Sequence, residues 1–148
     1  METFFAELFE RDLLKLKEEL SSFKNESNIW EAVNGVNNSA GNLTLHLIGN
    51  LNHFIGAILG NTGYIRTREL EFSTKGTPRV ALIAAIDKTL SMVTATLSTL
   101  SADELAAIYP FELFGQRSTS FYIAHFYGHL VYHLGQINYL RRILEWEY

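Results

Sequence analysis

The stretch HLVYHLGQINYLRR, residues 129–142, places His129 and His133 four positions apart in a segment that reads as helix. Four positions is about one helical turn, so the two imidazoles share a face and can reach a single ion. A third imidazole from His46 would complete a facial set of three histidines, leaving positions for water or substrate. Three neutral ligands leave the full charge on a divalent ion, which favours bound hydroxide near neutral pH and hence Lewis-acid or metal-hydroxide chemistry. No acidic residue that could serve as a general base stands out beside these histidines, and the catalytic residues are unassigned at this level.

The elements that must position the histidines are helices. Phe5, Phe9, Leu13, Leu16, Leu20 and Phe23 recur at three- and four-residue steps in a first helix. A second helix is expected over residues 40–60, ending at Gly60 or Gly63. A third starts with Thr77 as N-cap and Pro78 at the first helical position, and carries a seam of Ile83, Ile86, Leu90, Val93, Leu97 and Leu100. Ser101 and Glu104 form a capping-box pattern for a short turn, and the last helix runs from about Ser118 to Glu145. Four long helices with one apolar stripe each predict an all-α four-helix bundle, a single domain over residues 1–148.

Charge is distributed unevenly along the chain. No charged residue occurs from Ala32 to Ile65 or from Ser118 to Leu140, and these windows hold all 5 histidines. The second and last helices are therefore expected to face the interior most completely. On the last helix His125, His133 and Gln136 fall within about 40° of His129, on the apolar side. A lone inward histidine such as His125 reads as a hydrogen-bonded core residue or a pocket residue. On the second helix Asn42, Gly49, Asn50 and His53 lie within about 60° of His46, a polar stripe without Lys or Glu that suits a cavity wall. His53 stands about 10 Å along the axis from His46, too far to share its ion. Asn50, His53, His125, Tyr132 and Gln136 are candidate pocket or ligand-orienting residues, while Arg66, Arg68 and Arg117 could fold over the mouth of the site but read first as solvated loop charges.

Composition narrows the function. At 148 residues, 47% hydrophobic and 19% charged, the chain can bury a sizeable core. A net charge of −4 without a basic block disfavours nucleic acid as partner. With no cysteine there are no thiolate ligands and no disulfides. No apolar run long enough for a membrane span and no signal-peptide pattern is seen, so the expected location is the cytoplasm.

The runs Leu45-His46-Leu47-Ile48-Gly49-Asn50 and His129-Leu130-Val131-Tyr132-His133-Leu134-Gly135-Gln136-Ile137 resemble the DinB-like superfamily, in particular its DinB/YfiT-like branch of metal-dependent hydrolases and domains of unknown function. That resemblance implies an up-down-down-up four-helix bundle and a divalent metal, nickel or zinc, held by three histidines; carried over position by position these are His46, His129 and His133. It also implies a small-molecule substrate, with a low-molecular-weight thiol as co-substrate in some relatives, and homodimers in many. Two readings follow. One is a metal-dependent hydrolase or thiol-dependent transferase. The alternative is a non-catalytic small-molecule-binding or structural bundle with a vestigial metal site, whose C-terminal Trp146 and Tyr148 help it dimerise.

Overall fold

The computed structural model describes residues 4–147, so Tyr148 lies outside the described residues. The described residues are all-helical apart from loops; an isolated antiparallel bridge joins Ile108 to Ser118. The long helices are α1 (Phe4–Ser22), α2 (Ala40–Leu51), α5 (Arg79–Thr99) and α7 (Thr119–Leu144). Between them lie a 3-10 turn (Glu26–Trp30), α3 (Ile58–Gly60), α4 (Arg68–Ser73) and α6 (Ala102–Ala106).

The expected second helix is present but not uniform. From Leu51 the chain continues without a break through a π-helical turn, Asn52–Ala57, into α3, and Asn61 then ends the helix in the left-handed conformation at φ 51. The Tyr109 hydroxyl donates to the Phe54 carbonyl inside the π turn at 2.6 Å. Helix α5 starts at Arg79 rather than at Pro78, because Pro78 is extended (ψ 143) and serves as the N-cap. Its carbonyl accepts from Ala81 and Leu82, while the Glu26 carboxylate takes the Arg79 N–H at 2.6 Å. The short turn and the last helix start as the sequence suggests. Ser101 and Glu104 form a complete capping box, and the Ser118 hydroxyl accepts from the Phe121 N–H.

Packing arranges the long helices around a core that includes Phe9, Leu13, Leu16, Leu47, Ile55, Ile86, Tyr122 and Phe126. Helix α1 meets α7 through Arg11 with Tyr127 and through Glu19 with Arg141, each at 2.7 Å. It meets α5 through Lys17 with Asp87 and through the Ser21 carbonyl with Arg79. The π turn that continues α2 packs on α7, where the Phe54 and Phe126 rings stack at 4.9 Å, and meets α5 where Asn52 donates to Thr89. The seam of α5 differs from the apolar one expected: Leu82, Ile86, Thr89, Val93, Thr96 and Leu97 are buried, whereas Ile83 and Leu90 are only half-buried. Thr89 tolerates the interior because its hydroxyl donates to the Ala85 carbonyl and accepts from Asn52.

The two uncharged windows have different fates. Helix α2 is buried along most of its length. Helix α7 is not: Phe121, Val131, Tyr132, Tyr139 and Ile143 are exposed, as is Trp146 beyond its end. Absence of charge on α7 therefore marks burial on one face and an uncovered apolar face on the other. By length and composition Ala40–Gly60 and Arg79–Thr99 are apolar enough to cross a membrane, a property shared by core helices. In this fold the first buries Asn42, His46 and Asn50 within the bundle, and the second exposes Asp87 and Lys88.

Tyr109→Phe should leave the helical content intact but strip the π turn of its side-chain donor. A buried carbonyl losing its partner costs about 1–3 kcal/mol, and urea denaturation should show the midpoint falling with an unchanged slope.

Candidate metal centre

His46 projects from the middle of α2, and His129 and His133 come from successive turns of α7. Their Nε2 atoms converge: His129 Nε2 lies 3.1 Å from His46 Nε2 and 3.1 Å from His133 Nε2. The candidate ligand atoms all fall within 4.8 Å of one another. The three rings are nearly perpendicular pairwise, at 78°, 85° and 88°. Three nitrogens at bond lengths of about 2.0–2.1 Å from one ion would stand roughly 3.0–3.4 Å apart, so the observed spacing suits a facial three-nitrogen site.

The outer ring nitrogens determine which atoms face inward. His46 Nδ1 lies 3.0 Å from Glu71 Oε1, and a carboxylate can only accept, so Nδ1 carries the proton and Nε2 presents a lone pair. Glu71 is itself clamped: Arg66 donates to Oε2 from Nε and to Oε1 from Nη2, both at 2.8 Å. Arg66 Nη2 also stands 3.4 Å from His46 Nδ1 but cannot accept from it, so it is a neighbour rather than a partner. On α7, His133 Nδ1 lies 2.7 Å from Gln136 Oε1, which fixes the same tautomer there. His129 Nδ1 is buried without a hydrogen-bond partner. His129 Nε2 can donate to one neighbour at most, so the two 3.1 Å contacts around it cannot both be good hydrogen bonds. A cation accepts all three lone pairs at once, which is the physical sense in which this donor set fits a metal.

The electrostatics disfavour protonation of His129 and His46. Burial pushes the His129 imidazole down to about 3, and charge on His133, His46, His125 or Arg66 would push in the same direction. Burial likewise lowers His46, against the opposing pull of Glu71. Neutral imidazoles are the form in which histidine binds metal.

The remaining candidates divide. Gln136 orients His133, and Tyr132 is exposed with its ring 5.2 Å from that of His133. Asn50 is buried, with its Oδ1 unpartnered. His53 is half-buried between the rings of Phe54 and Phe111 and does not join the cluster, in keeping with its distance along the helix. His125 corrects the expectation of an inward histidine: it is exposed, with its ring against Phe114 and Phe126. The expectation that Arg66 is a solvated loop charge is also overturned, since its side chain is only 12% exposed and bound to Glu71. Arg68 and Arg117 lie over the rings of Phe72 and Phe121.

Glu71 escaped the sequence reading because it lies on α4, outside both histidine windows. One signal for it was present. Gly49 is one turn beyond His46, and a Cβ there would come within 1.8 Å of Glu71 Oε2. The polar stripe of α2 is accordingly no open cavity wall: Asn42 donates to the carbonyls of Glu71 and Thr74, and α4 lies over it.

A family model described as the DinB superfamily matches residues 8–137, a span that includes all three converging histidines, and the chain belongs to that superfamily. No curated protein matches the chain. Family and histidine geometry together fit a metal-dependent protein.

Gly49→Ala should expel the Glu71 carboxylate and cost about 1–3 kcal/mol through overpacking. Gly135→Ala, where nothing lies within 4 Å, should be neutral or mildly stabilising. Thermal melts of the two variants check the contrast, and equal melting points would remove Gly49 as the seat of Glu71.

Proposed function

We propose that this protein is a metal-dependent enzyme, a hydrolase or a thiol-dependent transferase, whose divalent ion, nickel or zinc, is held by His46, His129 and His133. The observation that carries the reading is the convergence of three Nε2 atoms, two of which, those of His46 and His133, have their lone pairs turned inward by Glu71 and Gln136. A divalent ion there would supply Lewis acidity, lowering the pKa of a water or thiol and polarising an electrophile. The chain's own residues supply orientation. Glu71, locked by Arg66, holds His46 against rotation and makes it a better donor, and Gln136 does the same for His133.

The up-down-down-up order belongs to the same reading. It is supported by the pairings of Arg11 with Tyr127 and Glu19 with Arg141, which advance together along α1 and α7. The pairings of Ser21 with Arg79 and Lys17 with Asp87 run in opposite senses along α1 and α5. A homodimer and a low-molecular-weight thiol as co-substrate are part of the proposal through the family.

Metal analysis of untagged protein tests the reading. Wild type incubated with zinc or nickel and then desalted should retain close to one equivalent, and His46→Ala, His129→Ala and His133→Ala should each lose it. Circular dichroism guards against loss of fold. Wild type that retains no metal would remove the enzymatic proposal.

A further inference from the structure

A groove of about 540 Å³ opens beside the histidine cluster, between the 33–38 loop and the outer side of α7. This volume lies within the roughly 300–1,000 Å³ range of small-molecule sites. We propose that this groove binds the body of a neutral, largely apolar substrate whose reacting end lies at the histidine cluster. The proposal rests on the metal reading above for the identity of the reacting end, but not for the chemistry of the groove.

Continuity with the centre comes first. His133 and Gln136 line the groove, and the same His133 ring presents Nε2 to the cluster. A molecule lying along the groove therefore touches the side chain of one candidate ligand, His133, while His46 and His129 do not line the groove. The lining chemistry comes second. Val33, Val36, Leu43, Tyr132, Tyr139 and Ile143 supply apolar and aromatic surface, and Asn37, Asn38 and Gln136 supply neutral amides. No charged side chain lines it among the described residues. Val36, Tyr132, Tyr139 and Ile143 are 42%, 65%, 65% and 56% exposed, so the chain itself leaves this surface uncovered.

The molecule contains its own comparison. A depression of similar size, about 550 Å³, lies on the opposite flank of α7 and is lined by Arg11, Asp12, Lys15, Glu18, Glu19 and Arg141 among others. That surface would suit charged groups, yet it includes none of the three histidines. Two guanidiniums make contacts of their own. Arg66 is bound to Glu71, and Arg142 does not line the groove but lies 5.5 Å over the Tyr139 ring, in a neighbouring depression that shares Tyr139 and Ile143 with it. An anionic substrate body would enter the groove without a counter-ion and lose hydration, whereas an apolar body with an amide or hydroxyl group would lose little.

The test uses acetanilide as a neutral amide probe and 4-acetamidobenzoate as its anionic counterpart, titrated into the full chain and followed by backbone amide NMR. Acetanilide should shift residues 33–38 together with Tyr139 and Ile143, while the anion should bind at least tenfold more weakly. Val36→Asp and Ile143→Glu replace exposed side chains outside the histidine cluster, so the fold and the metal content should persist while acetanilide affinity falls tenfold or more. Shifts scattered over the surface, equal binding of the two probes, or indifference to both substitutions would overturn the proposal. So would sedimentation showing a dimer that buries these residues and dissociates in Val36→Asp, since the groove would then belong to a second copy. Because neither probe needs a metal, loss of the metal reading and loss of the groove register in separate measurements.

Discussion

Three imidazole nitrogens turned toward one point inside an apolar bundle form the constraint to which the surrounding structure answers. Each nitrogen would find water if exposed. Here His46 is 93% buried and the other two are partly enclosed, so the lone pairs face one another at 3.1 Å. Such an arrangement persists only if neighbouring groups hold the rings in place and if something can accept the lone pairs.

The chain meets the first requirement with a segment that has no other evident task. Helix α4 and the residues before it bring Glu71 and Arg66 over the polar stripe of α2. Asn42 ties down the far end of that segment through two carbonyls, and Gly49 leaves the space for the carboxylate. A buried carboxylate is costly alone, but here both oxygens receive charged donors from one guanidinium, and one also receives the imidazole N–H. The result is a relay from Arg66 to Glu71 to His46 in which each group makes sense only through the next.

Helix α7 serves two surfaces at once. Its inner side carries Tyr122, Phe126, Leu130, Ile137 and Leu140 in the core with His129 and His133 beside them, and its outer side leaves aromatic residues uncovered next to the same histidines. The candidate metal centre and the neutral groove thus share the His133 side chain. The charged flank across α7 is occupied instead by the contacts of α1, such as Glu19 with Asn138 and Arg141.

Local pattern determined a good deal of this molecule. The spacing of Phe9, Leu13, Leu16 and Leu20 could satisfy only a helix with one buried side, Ser101 with Glu104 announced a cap, and His129 with His133 lay on one helical face whatever surrounded them. These are short-range properties, set by the 3.6-residue turn and by hydrogen bonds within a few residues. What the tertiary structure decided is what lay across a gap. It brought His46 to within reach of a helix 83 positions away, drew Arg66 inward and left His125 outside. It also rotated the α5 seam toward Thr89 and Thr96, and introduced the π turn before α3. None of these follows from periodicity, because a residue's burial and its hydrogen-bond partner depend on which other element arrives opposite it, and that is settled by packing the whole bundle at once.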